Sequence, residues 1–323
     1  MQQGDTFGAL VDKASDMGFW RALCPGMSIS DSPFLSSPPP YVVDMLEAGA
    51  ARAGGVEEGY FRVGPVVPQA DIALLARATS AVVEAGFPAS FVLVYDQAWR
   101  MLARLDNLLS PILGATSCFT RDTWVYYIRA VDEAPSAVKE STGWRPHRDT
   151  TRPAVGTLRE DGRPHILNVW IPFTDTTPDH SCIYVLPTNR DPTYPGNLDE
   201  PLLPKSALQD VRALPARAGA VLGWNEYVLH WGSRSGRPAA GPRISLATRF
   251  QTREVDPVLF PHLTVDSPFD FQDRLGVIGT NVRRYGNFVQ YPAPLRDFCD
   301  RQRLLYIGAE YSRAVQARRG AAG

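Results

Sequence analysis

The feature that most restricts what this 323-residue chain can fold into is a change of hydrophobic period near residue 120. Before it, apolar residues recur at three and four spacing in PQADIALLARATSAVVEAG (68–86) and over 93–113, the pattern of amphipathic helices. After it come short runs rich in Val, Ile, Tyr, Trp and Thr at 122–131, 165–173, 182–187, 219–225, 228–233 and 243–251. Gly, Pro, Asp or Asn bounds each run, so each reads as a strand, and another is expected at 60–66. Many short strands with turn-rich connections imply a sandwich or barrel, and a jelly roll fits the count. The expected class is mainly β with flanking helices (α+β).

Around that core, residues 1–57 read as an irregular arm with one short helix near 41–51, and 58–121 as mainly helical support for a core at 122–251. Residues 256–293 read as irregular and 294–316 as a final helix, the whole chain forming one catalytic domain. The 28 prolines suit a loop-rich fold, and a formal net charge of −1 lacks the basic footprint of a nucleic-acid binder. Four widely separated cysteines, Cys24, Cys118, Cys182 and Cys299, form no Cys-x-x-Cys pair and suit free thiols in a reducing compartment. With no run of eighteen apolar residues and no apolar leader, a cytoplasmic protein without a membrane partner is expected.

The chemistry is concentrated in a few residues. GWRPHRDTTR holds the chain's only His-x-Asp, and strand alternation puts His147 and Asp149 on one face. A motif this short arises by chance, but eighty-one residues after Asp149 comes His230, in LGWNEYVLHWGS, and thirteen further on Arg243 opens PRISLATRF. Two imidazoles and a carboxylate on one side of a metal leave three positions open, an arrangement suited to non-haem Fe(II) oxygenases. Arg243 offers a permanently charged fork for the far carboxylate of 2-oxoglutarate, and Ser245 faces the same way.

These motifs, with LNVWIPFTDTTPDHSCIYVLP and ARAGAVLGWNEYVLHWGS, resemble the phytanoyl-CoA dioxygenase-like family of Fe(II)/2-oxoglutarate oxygenases over residues 58–251. The resemblance implies a double-stranded β-helix (jelly-roll, cupin-like) core and His147, Asp149 and His230 as iron ligands. It also implies Arg243 and Ser245 on the co-substrate carboxylate, Trp170 lying against 2-oxoglutarate, and O2 as the second co-substrate. Two departures stand out: VLP is followed by TNRDP where the family has Gly-Ser-His, and the insertion RSGRPAAG lengthens the gap before Arg243. Relatives that chlorinate replace the carboxylate with a small residue; Asp149 is present, so hydroxylation or another oxidation of a small molecule is preferred.

For substrate contacts, Arg145, Arg148, Arg152, Arg159 and Arg163 outnumber the nearby acids and suggest an anionic substrate group. Tyr127 and Trp144 are candidates for the cavity wall, whereas Trp231, opposite in parity to His230, is assigned to the core. His165, His180 and His262 have turn or loop settings and carry no expected role. Two other readings use the same residues: a cupin-like metal isomerase or hydrolase, and a non-catalytic binding protein on the same barrel.

Overall fold

In the computed structural model, residues 2–34, 39–129, 145–150, 157–198, 203–236, 239–256, 263, 269–285 and 292–321 are described. The chain divides into two compact units, Met1–Ser37 with Arg77–Arg100 and Val265–Gly323, and Pro38–Ala76 with Met101–Thr264.

The second unit holds the strands. They are β1 (Tyr60–Pro65), β2 (Ser117–Ile128), β3 (Ile166–Pro172), β4 (Ile183–Leu186), β5 (Arg212–Leu214), β6 (Ala220–Asn225), β7 (Leu229–Gly232) and β8 (Arg243–Thr252). All pairings are antiparallel. A five-stranded sheet runs β1-β6-β3-β8-β2 and a three-stranded sheet β5-β4-β7. Tyr60, Trp170, Leu222 and Trp224 of the larger sheet pack against Ile183, Val185 and Leu214 of the smaller, so the two inner faces share one core. This is the expected jelly roll. Near-continuous apolar runs such as AVLGWN, buried at every position of β6, make that core. A Cβ at Gly223 of β6 would come within 2.4 Å of the Phe61 ring, so glycine lets β1 and β6 close up.

β5 escaped sequence reading because RAL is too short to carry a period; it exists through its pairing with β4. The helix expected over 93–113 is interrupted. A 3-10 turn at Ala89–Val94 precedes α5 (Asp96–Ala103), and α6 (Asp106–Leu113) follows after a break. At the break the Arg104 carbonyl accepts from the Tyr41 amide at 3.0 Å, while the Leu108 amide turns to Leu105, so the helical ladder cannot run through. Before β1, α3 (Met45–Glu57) starts where the Asp44 side chain caps the amides of Leu46 and Glu47. α4 (Gln69–Glu84) lies where the helical period places it.

The first unit corrects two expectations. The N-terminal arm contains α1 (Gln2–Ser15) and α2 (Met17–Leu23) in addition to the helix expected near 41–51, which is α3. Asp16 caps α2, and Trp20, fully buried, packs against Phe87, Phe91 and Tyr95. In the stretch expected to be irregular lies α7 (Phe271–Tyr285), packed on α8 (Ala293–Ala321). Two glycines hide α7 from propensity reading. A Cβ at Gly276 would meet Tyr306 at 2.2 Å, and one at Gly279 the Cys299 carbonyl at 2.2 Å, so both serve close helix contact. No helix among the described residues is long and apolar enough to cross a membrane.

Gly279→Ala should therefore destabilise the α7–α8 pair by about 1–3 kcal/mol through overpacking, read as a lower urea midpoint. An unchanged midpoint would show that the helices can separate without cost.

Candidate metal centre

His147 reaches the core through a two-way backbone bridge to β7. The His147 amide donates to the His230 carbonyl, and the His230 amide donates to the His147 carbonyl, both at 3.0 Å. The strand then continues along the turn after β6, with the amides of Asp149 and Thr150 both donating to the Glu226 carbonyl. An isolated antiparallel bridge thus sets the His-x-Asp segment along β7 at the edge of the smaller sheet. Alternation keeps His147 and Asp149 on its inner face, and His230, 6% exposed, stands beside them.

The ligating atoms converge. One ligand atom from each of His147, Asp149 and His230 lies within 4.8 Å of the other two. Asp149 Oδ1 is 3.9 Å from His147 Nε2, and Asp149 Oδ2 is 3.6 Å from His230 Nε2. The far sides of both rings are fixed: His147 Nδ1 bonds the Arg145 carbonyl at 2.8 Å, and His230 Nδ1 the Val228 carbonyl at 3.0 Å. Because a carbonyl only accepts, Nδ1 carries the proton in each ring and Nε2 presents its lone pair to the cluster. The donor set fits one transition-metal ion, with three protein ligands on one side.

Burial and neighbours tune these groups. His230 is held down to about 4, mainly by burial, with the adjacent charge of Asp149 opposing. Burial alone would raise the Asp149 carboxyl, but His230, Arg249 and His147 outweigh it and hold it below the usual carboxylate range. The Trp224 indole N–H helps without forming a hydrogen bond of good geometry. Arg249, 9% exposed, places Nη2 3.7 Å from Asp149, Nη1 3.5 Å from Glu226 and Nε 3.3 Å from Asp122, and donates to Asn168 Oδ1 at 3.0 Å. Sequence reading passed over Arg249 and Asn168. The signal was present, since the alternation that aligns Ser245 with Arg243 also aligns Arg249, and Asn168 shares the face of Trp170.

Along β8 the inner face carries Arg243, Ser245, Ala247 and Arg249. Arg243 is 1% exposed, donates to Ser245 Oγ at 2.5 Å and Ser181 Oγ at 3.2 Å, and leaves Nε without a partner. Its guanidinium carbon lies 5.5 Å from the centres of both the Trp170 and Tyr126 rings. Among the described residues no carboxylate pairs with it. Burial pulls its pKa down to about 10, so it still carries a full charge at neutral pH. Trp170, 1% exposed with its indole N–H unpartnered, stands beside it.

The substrate candidates fare differently. Tyr127 faces away from the core side, with Arg129 5.4 Å from its ring centre; Tyr126, paired with Ser245, takes the inner face instead. Trp231 does point opposite to His230, but it is half-buried and stacked on Tyr184 rather than in the core. The expected positive surplus largely cancels, because Arg148 pairs with Asp191, Arg159 with Glu254 and Arg163 with Asp161. Arg145 keeps an exposed side chain beside the centre. Trp144, Arg152 and His262 lie outside the described residues.

Jelly-roll sheets closing on two imidazoles and a carboxylate define a class: cupin-fold proteins built around a single-metal site. The family model "Phytanoyl-CoA dioxygenase (PhyH)" matches residues 56–239, more than half of the sequence, and the chain belongs to that family. Similar solved structures include the epimerase SnoN from nogalamycin biosynthesis, in complex with Fe3+, alpha ketoglutarate and nogalamycin RO. It is 16% identical, covering 65% of this chain and 85% of that one at a TM-score of 0.51. The non-heme monooxygenase ThoJ, without metal, is 17% identical over 74% of this chain and 96% of its own, at 0.53. At such identities the likeness is one of fold. No curated protein matches the sequence.

The buried His230 makes a prediction for metal-free protein. Its folded pKa lies below the unfolded value of 6.5, so the unfolded chain binds more protons below that pH, and stability should fall as pH drops from about 6.5 through about 4. Urea denaturation of chelator-treated protein across that window should show the slope, and His230→Gln should flatten it; equal slopes would contradict a buried neutral imidazole.

Proposed function

We propose that this protein is an Fe(II)/2-oxoglutarate-dependent oxygenase that hydroxylates, or otherwise oxidises at, an unactivated C–H bond of a small-molecule substrate. One observation carries the reading beyond family membership: a fully buried guanidinium, Arg243, for which no carboxylate partner lies among the described residues. A buried charge is costly unless paired, and one retained on the inner face of a barrel calls for an anionic ligand. A dicarboxylate reaching from the metal centre answers that need, its distal carboxylate taking the Arg243 fork with Ser245 beside it.

His147, Asp149 and His230 are the residues that would hold iron, with Nε2 of each ring and the Asp149 carboxylate as donors. Bound there, ferrous iron with 2-oxoglutarate and O2 supplies the oxidising power for C–H cleavage, the keto acid leaving as succinate and CO2. The chain's own work is positional. The backbone carbonyls of Arg145 and Val228 fix the imidazole tautomers, Arg249 lies against the Asp149 carboxylate, and Trp170, Trp224 and Leu222 wall the interior against water. No protein general base is required, and none is assigned.

Arg243 and Ser245 favour this reading over a metal isomerase or hydrolase, which has no use for a keto-acid fork, and over a binding protein that turns nothing over. Purified protein given Fe(II), O2, 2-oxoglutarate and a panel of small-molecule substrates should form succinate. Arg243→Met should raise KM for 2-oxoglutarate roughly 10- to 100-fold, the scale of a lost charge-assisted hydrogen-bond pair. Wild-type protein that leaves 2-oxoglutarate intact under every condition would end this reading.

A further inference from the structure

We propose that Arg148 is a positioning residue for the metal centre, holding the His147–Asp149 strand in register through a buried ion pair with Asp191. The proposal rests on the metal-centre reading given above. Arg148 stands between the two ligands and by alternation points away from them. Its side chain is 2% exposed and that of Asp191 is fully buried, with Nη2 and Oδ2 2.7 Å apart. Arg148 Nη1 also donates to the Tyr227 carbonyl at 2.6 Å, and Nη2 to Thr193 Oγ1 at 2.7 Å. Asp191 is set in turn, its Oδ1 accepting from the Thr193 amide at 2.9 Å and hydroxyl at 2.7 Å.

Burying such a pair is a poor route to stability, since desolvation offsets most of the attraction. Its product is registry. One planar fork ties together three segments: the strand carrying two ligands, the turn that leads into His230, and the loop after β4. That loop is the TNRDP stretch in which the sequence departs from the family's pattern, so the clamp belongs to this chain's own variation. The backbone bonds that join 147–150 to Glu226 and His230 hold the same segment. A slip of Arg148 would therefore carry His147 and Asp149 together relative to His230, and open the contacts of 3.6 and 3.9 Å between carboxylate and imidazoles.

The test uses Co(II) as probe on the full chain, with Arg148→Met, Arg148→Lys and Asp191→Asn. Affinity and the visible d–d spectrum are recorded by titration, and Tm is measured metal-free and at saturating Co(II). Arg148→Met should weaken Co(II) binding about 10- to 100-fold, the range for partners that orient metal ligands, and change the spectrum. The Tm rise produced by Co(II) should shrink accordingly. Arg148→Lys keeps the charge but not the fork, and should fall between; with Asp191→Asn it carries the comparison if Arg148→Met does not fold. A purely structural pair would lower both Tm values together and leave affinity and spectrum as in wild type, which overturns the proposal. Wild-type protein that binds no Co(II) overturns the metal-centre reading itself, and the clamp with it.

Discussion

The reciprocal pair of backbone hydrogen bonds between His147 and His230 is the constraint on which the site depends. It joins segments far apart in sequence and sets two imidazoles side by side, with ring centres 4.3 Å apart. Everything else about the centre follows from that register. A one-residue slip would turn His147 and Asp149 to the outer face together. The surrounding structure resists such a slip twice, through the Glu226 carbonyl that takes the amides of Asp149 and Thr150, and through the Arg148 fork on the opposite face.

Charge organises the interior at two places. At one, a single guanidinium, Arg249, is shared among Asp122, Asp149 and Glu226. At the other, Arg243 has hydroxyls for partners and, among the described residues, no carboxylate. The two arginines lie six residues apart on one strand face, with Ala247 between them packed against the core. On the proposed reading, that difference in partners assigns the incoming anion to Arg243 and leaves Arg249 to the fixed frame. In sequence the arginines between 145 and 163 looked like a landing site for an anionic substrate group. Three of the described ones have their own acidic partners, which leaves fewer charges there for an anionic group.

Much of the jelly roll was legible because a buried strand writes its period and composition directly into sequence, as in HILNVWIPF and RISLATRFQ. So were the residues of the triad, since metal chemistry restricts their types. What was lost depends on contacts that local sequence does not encode. β5 exists only through its partner strand, α7 conceals its helical character behind glycines needed for packing on α8, and the long expected helix breaks where Tyr41 captures a carbonyl. Arg148 shows the same limit: in sequence it is one of several arginines that suggest an anionic substrate, and only the fold shows its pairing with Asp191.

The most direct test of the central claim is anaerobic titration of the purified protein with Fe(II) and 2-oxoglutarate, followed by visible absorption. If the three side chains hold iron on one face and Arg243 holds the keto acid's far end, a weak charge-transfer band should grow to one equivalent only when both are present. Addition of both without any such band, in folded protein, would contradict the account.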